Sequence, residues 1–145
     1  MAWFAKMRNG IVAGAVALIA TILAASAPAA PRDLDRTLNR ATDKGLFRVE
    51  VASAVRPIPM NAIHRWTVRL TDASGRPVAG AAIAVDGGMP EHHHGLPTAP
   101  RAIPGSAPGN YVIQGMKFSM DGWWELKLDV RAAGRSDTVT FNIVL

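Results

Sequence analysis

The chain has 145 residues, 49% hydrophobic and 19% charged, which supports one globular domain, and its lack of cysteine excludes disulfides, thiolate zinc sites and thiol catalysis. Residues 1–29 hold two of the 16 basic residues and none of the 11 acidic ones, so the remainder has 14 basic against 11 acidic residues, a net charge of +3. The basic residues after position 45 are scattered, with no concentrated patch, so we expect no nucleic-acid partner.

The first 29 residues have the three-part composition of a secretory signal. Lys6 and Arg8 supply positive charge, Ile11–Ala25 is apolar and uncharged, and the small residues of Ala25–Ala30 suit a cleavage site. The apolar run is shorter than the roughly 20 residues of a membrane-spanning helix. We predict a signal peptide over 1–29, with an uncleaved N-terminal anchor helix as the alternative. Both interpretations place the rest of the chain in the periplasm or otherwise outside the cytoplasmic membrane.

Residues 30–45 form a polar lead-in to the main domain. Leu34, Leu38 and Ala41 stand at helical spacing, which predicts either a short helix or an irregular segment ending at Gly45.

Alternation of apolar and polar residues with period two begins at Phe47 and indicates half-buried strands. Turns are expected at 72–77, at the pair Gly87-Gly88 and at Gly134, and a long proline-rich loop is expected from Met89 to about Gly109. A further strand is expected over 111–116. The apolar residues that we expect to face the core are Phe47, Val49, Val51, Trp66, Val68, Leu70, Ala81, Ile83, Val85, Trp124, Leu126, Leu128, Val130, Val139, Phe141 and Ile143.

These six or seven short strands each have one apolar face, and such faces are most economically buried against each other. We therefore predict an all-β, immunoglobulin-like two-sheet β-sandwich of about seven strands over residues 46–145. A small barrel is the alternative. The disulfide that marks antibody-type domains is excluded by the absence of cysteine.

Three of the four histidines stand together at positions 92–94, within a loop bounded by prolines. Imidazole carries a lone pair and binds metals readily in its neutral form. In an extended segment, His92 and His94 point to one side and His93 to the other, so two rings can chelate one ion. The alternative interpretation is a solvated polar stretch.

Methionines near this loop can complete a metal site. Met89 adjoins the histidines, and Met116 and Met120 lie downstream, where a bulge at Gly115 would change the strand register. Thioether sulfur selects Cu(I) and imidazole suits copper in both redox states, so this donor set predicts copper. For each methionine, core packing is the alternative. The candidate metal ligands are His92, His94, Met89, Met120 and Met116.

The remaining polar residues indicate no catalytic site. His64 begins a strand in register with Trp66 and is interpreted as a strand-end or core histidine. We find no nucleophile elbow around any serine, no glycine-rich phosphate loop before a helix and no evident carboxylate pair. We therefore predict that the protein is not an enzyme and name no catalytic residues.

Three segments carry a family resemblance. They are Met89-Pro-Glu-His-His-His-Gly-Leu-Pro97, Gly109-Asn-Tyr-Val-Ile-Gln-Gly-Met116 and Phe118-Ser-Met-Asp-Gly-Trp-Trp-Glu-Leu126. Together they resemble the YtkA-like domain family, which is similar to the FixH-like family, over roughly Gly45–Leu145. The resemblance implies a small extracytoplasmic sandwich of immunoglobulin type. FixH-like members are linked to copper-transporting ATPases and oxidase assembly, so it also implies copper handling and a copper-transporting or oxidase-assembly membrane complex as partner.

The family pattern can be carried over position by position. The chain departs from it at His93, where a small residue is expected, and a cleaved signal would be a second departure because FixH-like proteins keep a membrane anchor. The matching positions are Met89, His92, His94, Gly95 and Pro97 in the loop and Phe118, Met120, Gly122 and Trp124 in the strand.

These observations predict an exported copper chaperone or buffer. The alternative is an interaction module without metal, an accessory subunit of a cell-envelope complex, whose long loop and exposed aromatic residues such as Trp123 form the contact surface.

Overall fold

The computed structural model describes residues 33–145, so the signal peptide or anchor predicted over 1–29 lies outside the described residues. In this part of the chain we find no helix, and hence none that could cross a membrane. The strands are β1 (Asn39–Ala41), β2 (Phe47–Ser53), β3 (His64–Asp72), β4 (Ala82–Met89), β5 (His94–Gly95), β6 (Arg101–Pro104), β7 (Asn110–Met116), β8 (Trp123–Ala132) and β9 (Arg135–Val144).

Two sheets pack together, one of five strands in the order β1-β2-β3-β7-β6 and one of four in the order β5-β4-β8-β9. All ladders between neighbouring strands are antiparallel. The predicted all-β two-sheet sandwich is confirmed. The described residues form nine strands and not about seven, because β1, β5 and β6 have only two to four residues and are too short to show an alternating pattern.

The core lies between the two sheets and consists largely of the predicted inward-facing residues. In β3 and β8 the burial alternates residue by residue along almost the whole strand. Phe118, between β7 and β8, packs edge-on against Trp66 of one sheet and Trp124 of the other, with ring centroids 6.2 and 5.2 Å apart. These aromatic contacts join the two sheets at one end of the sandwich.

Residues 39–41, within the predicted lead-in, form a strand, so the helix prediction is wrong. β1 pairs with β2, with Asn39 opposite Glu50 and Ala41 opposite Arg48. The helical spacing of three apolar residues is outweighed here by the edge of β2, whose backbone N–H and C=O groups need hydrogen-bond partners.

Gly87 and Gly88 do not end a strand as predicted, because β4 continues through them to Met89. A Cβ on Gly87 would lie 2.4 Å from the carbonyl oxygen of Glu125, and one on Gly88 would lie 2.4 Å from that of His94. The two glycines therefore let β8 and β5 approach closely on either side of β4. The long loop predicted after this strand contains β5 and β6.

A bulge in β7 changes the face to which its side chains point. The register between β3 and β7 shifts between His64 and Trp66, opposite Gly115, which has a φ of +80°. Ile113 and Met116 consequently both face the core. The sequence left a bulge at this glycine open, and the structure contains it.

At the opposite end of the sandwich, the buried carboxylate of Asp137 in β9 hydrogen-bonds to the loop between β1 and β2. Its carboxylate accepts hydrogen bonds from Thr42 Oγ1 at 2.6 Å and from the backbone N–H groups of Lys44, Leu46 and Thr138 at 2.9–3.2 Å. Burial raises the pKa of Asp137, but these hydrogen bonds outweigh burial and hold the pKa below its usual range. The carboxylate therefore joins the β1–β2 loop to the other sheet.

Candidate metal centre

A tight hairpin between β4 and β5 positions the three consecutive histidines. Met89 and His94 are direct partners in the ladder, and the Met89 carbonyl accepts hydrogen bonds from the backbone N–H groups of His92 and His93 at 3.1 and 2.9 Å. His93 has a φ of +55°, a left-handed conformation that reverses the chain. The histidines therefore lie on a turn and not on the extended segment that the sequence predicted.

His94 presents one ring nitrogen that is free to bind a metal. Its Nδ1 lies 3.0 Å from the carbonyl oxygen of Gly95. A carbonyl oxygen only accepts hydrogen bonds, so Nδ1 is the donor, and in the neutral ring the lone pair is on Nε2. A backbone carbonyl that fixes the tautomer in this way is the usual partner of a metal-binding histidine.

The rings of His92 and His94 lie close together, and both residues are exposed. Their centroids are 6.1 Å apart and the ring planes differ by 35°. Two imidazoles that bind one ion through bonds of about 2.0 Å have centroids at most about 6.3 Å apart, which is the separation for a linear arrangement. The two predicted ligands therefore stand at a separation at which one ion can bridge them, while His93 occupies the left-handed position between them.

The buried indole of Trp124 contacts both His94 and Met120. The His94 ring stands edge-on to the Trp124 indole, with centroids 5.5 Å apart. The indole Nε1–H donates a hydrogen bond to the Met120 carbonyl at 3.0 Å, and the Met120 residue is 39% exposed. His94 and Met120 thus both contact one buried indole, His94 through its ring and Met120 through its backbone carbonyl.

Met89 lies next to His94 but points into the core. Direct partners in an antiparallel ladder face the same side, so the Met89 side chain is the inner neighbour of the His94 ring. Met89 is 2% exposed, and a Cβ on Gly122 would lie 2.8 Å from its terminal methyl group. Its sulfur could join a site only if this methyl group moved away from Gly122.

Met116 and His64 lie on the five-stranded sheet, where they are direct ladder partners and both buried. Both ring nitrogens of His64 are occupied: Nδ1 donates to the Ala62 carbonyl at 3.0 Å, and Nε2 accepts from Trp66 Nε1 at 3.0 Å. The prediction of a core histidine is confirmed. Since Met116 is fully buried on this sheet, we do not include it in the ligand set proposed below.

Imidazole and carboxylate groups alone do not form a metal site here, since residues 33–145 contain no cluster of three such side chains with suitable geometry. A cleft of about 260 Å³ adjoins the hairpin and is lined in part by Asp86, His93 and Glu125. Glu125 is paired with Lys127 at 2.9 Å, which neutralises its charge. The methionine thioethers at this end are further candidate donors.

Met60 is a further thioether at this end that the sequence interpretation missed. It is 40% exposed and forms a bridge with Phe118, two residues before Met120. It lies in the stretch between β2 and β3, which shows no alternating pattern, so only the tertiary structure brings it near the candidate site.

Comparison with known proteins identifies the fold and the family. The chain matches a solved DUF4426 family protein from Pseudomonas aeruginosa PAO1 with a TM-score of 0.53 and 18% identity over 70% of this chain and 91% of that one. A ZirS C-terminal domain matches with a TM-score of 0.40 and 13% identity, over 97% and 95% of the two chains. No curated protein matches. The YtkA-like family model matches residues 43–129, more than half of the sequence and including both motifs, and the chain therefore belongs to the YtkA-like family.

Proposed function

We propose that this protein is an exported, periplasmic copper-binding protein, a chaperone or buffer in copper handling or oxidase assembly, which holds its cargo through His92, His94 and Met120. We also propose that the two-sheet sandwich is of the immunoglobulin-like type. The observation that carries it is the free Nε2 of His94, with its proton fixed on Nδ1 by Gly95 and the ring of His92 within bridging distance.

The chemistry of the available donors supports copper over harder metals. Two imidazoles and one exposed thioether make a small, soft ligand set. Met89, the buried ladder partner of His94, is a second neighbouring thioether. Zinc and magnesium sites are usually completed by carboxylate, thiolate or water, whereas thioether sulfur selects Cu(I). Exposed ligands on a turn suit a protein that takes up and releases its cargo.

The proposed export rests on the charge and hydropathy of residues 1–29. The basic start, the uncharged apolar run and the small residues after it support a signal peptide, with an anchor as the alternative. Such a segment would deliver the sandwich to the compartment in which copper-dependent oxidases are assembled, which accords with the implied link of FixH-like proteins.

An anaerobic Cu(I) titration of the purified protein against a colorimetric Cu(I) chelator tests the proposal. We expect stoichiometric binding that is lost in the double variant His92→Ala/His94→Ala. The matched control is His93→Asn, which removes the third imidazole but keeps a residue that tolerates a left-handed backbone. This control should bind copper like the unmodified protein.

Fluorescence gives an independent readout, because His94 contacts Trp124. Cu(II) bound at His94 should quench the emission of this indole, and His94→Ala should abolish the quenching. Full Cu(I) binding in the double variant would overturn the proposed ligands. Absence of Cu(I) binding in the unmodified protein would instead favour an interaction module, for which the exposed Met60 and Ile63 are candidate contact residues.

A further inference from the structure

Four arginines that are scattered in the sequence come together on the outer face of the five-stranded sheet. Each is exposed and stands in its strand beside an inward-facing residue. We call this surface the arginine face; it consists of Arg48 of β2, Arg65 and Arg69 of β3, and Arg101 of β6. Glu50 is the only acidic residue that the five strands direct to this face.

The charges of the arginine face are largely unpaired. Arg48 donates to the Asn39 side chain at 2.8 Å. Within residues 33–145, Arg65, Arg69 and Arg101 form neither an ion pair nor a side-chain hydrogen bond. The guanidinium groups of Arg65 and Arg101 are therefore available to an external anion, whereas Arg69 stands opposite Glu50 in the ladder.

The outer face of the four-stranded sheet is different. Lys127 pairs with Glu125 at 2.9 Å, and Arg131 pairs with Asp129 at 3.3 Å. Asp86, the ladder partner of Lys127, adds a further negative charge. The two outer faces thus carry charges of opposite sign, and only one of them attracts anions.

The positions of the arginines favour a broad, planar partner. Arg101 is the ladder partner of Gln114, and Arg65 lies opposite the same bulged part of β7, so the two flank one strand about 10 Å apart. A groove of about 320 Å³ on this face contains Arg69 together with Glu50. An acidic peptide seated in that groove would lie beside a carboxylate, whereas an extended anionic surface would not need to enter the groove.

We propose that the arginine face binds the surface of an anionic phospholipid bilayer. Ile103, 39% exposed on the edge strand of this face, can contact the interfacial region between the headgroups. β1, the first strand after the N-terminal segment, is an edge of this same sheet. This inference rests on the export part of the proposed function and is independent of copper.

Co-sedimentation of the protein with vesicles tests the inference, using phosphatidylcholine with and without phosphatidylglycerol. The variant Arg65→Gln/Arg101→Gln is compared with Lys127→Gln/Arg131→Gln, which removes the same charge from the opposite face. A basic residue near an anionic surface contributes about a fivefold gain in binding, so the first variant should bind roughly 25-fold more weakly. The second should change by less than about twofold, and added salt should weaken binding of the unmodified protein.

The unmodified protein and both variants share the same N-terminal segment. If that segment alone bound the vesicles, all three would bind equally well, which would overturn the inference. Equal losses in both variants would show an effect of net charge only, and would also overturn it. Binding to soluble polyglutamate that competes with the vesicles and depends on Arg65 and Arg101 would point to an acidic protein partner instead. Cu(I) binding, measured on the same variants, should be unchanged.

Discussion

The two ends of the sandwich use polar groups in opposite ways. The histidine end, residues 60–64, 89–95 and 118–122, exposes imidazole and thioether groups above a packed aromatic floor. The clamp end, residues 42–46, 72–81 and 133–137, binds its buried polar groups internally: Asp137 through the hydrogen bonds described above, and Tyr111 by donating to Val78 and accepting from Ala81. The comparison teaches that buried polar groups at the clamp end are bonded internally and stabilise the fold, while at the histidine end His64 is bonded internally but His92, His93 and His94 are exposed.

The largest expected effect is at the clamp end. Asp137→Ala removes the acceptor of Thr42 and of three backbone N–H groups, and should lower the free energy of unfolding by about 3 kcal/mol. Chemical denaturation measures this. The control is Asp129→Ala, which removes a partly exposed carboxylate paired with Arg131 and should change stability by less than about 0.5 kcal/mol. Equal effects of the two substitutions would refute the comparison.

Gly122→Ala examines the packing beneath the histidine end. Gly122 has a φ of +123°, and its new Cβ would lie 2.8 Å from the terminal methyl group of Met89. We expect a loss of about 2 kcal/mol, part from backbone strain and part from displacement of Met89. Gly134→Ala is the matched control, because this glycine has a φ of +71° but no neighbouring atom within 4 Å of the new Cβ. If Gly122→Ala lowers the free energy of unfolding no more than Gly134→Ala does, the Met89 side chain moves aside without a measurable cost.

Acid should weaken the clamp end. The pKa of Asp137 is lower in the folded protein than the value of about 3.9 in an unfolded chain, so the stabilisation is complete above about pH 4 and is lost as the pH falls through the folded-state pKa. The effect should be smaller than that of Asp137→Ala, because a protonated carboxyl still accepts hydrogen bonds. Denaturation of the unmodified protein and of Asp137→Asn across this range should show a stability difference that shrinks in acid. A constant difference would contradict the assignment to this carboxylate.

The smallest effect, of opposite sign, is expected at the histidine end. His93 has a left-handed backbone, which glycine adopts without a steric penalty. His93→Gly should therefore raise the free energy of unfolding by roughly 0.5 kcal/mol, measured by thermal or chemical denaturation. His92→Gly, at a position without a positive φ, serves as control and should not stabilise the protein. Stabilisation by both would mean that the left-handed turn is not the cause.

The strands and most of the core could be predicted because period-two alternation reports directly which residues face inward. β1, β5 and β6 escaped prediction because they are too short to carry a period, and they form only where a longer strand offers them an edge. Gly87 and Gly88 misled the interpretation for a related reason. A glycine can end a strand or permit a close approach, and only the neighbouring backbone decides which.

The candidate ligands were predicted by residue type and spacing, but their relative positions were not. The pairing of His92 with His94 follows from the hairpin turn, and the backbone carbonyl of Met120 is tied to Trp124, the indole that His94 contacts. Burial separates the methionines: Met120 is accessible, whereas Met116 is enclosed in the opposite sheet. Sequence patterns alone do not distinguish a buried thioether from an exposed one.

The amino-acid sequence by itself determined the all-β character, the inward faces of the long strands and the family motifs, because these depend on local alternation and residue type. The tertiary structure alone decided that His94 lies over Trp124, that Met60 approaches Phe118 and that four separated arginines share one face. The physical reason is that strand order in a sheet joins residues distant in the chain, and the side chains of one strand do not encode which strand becomes its neighbour.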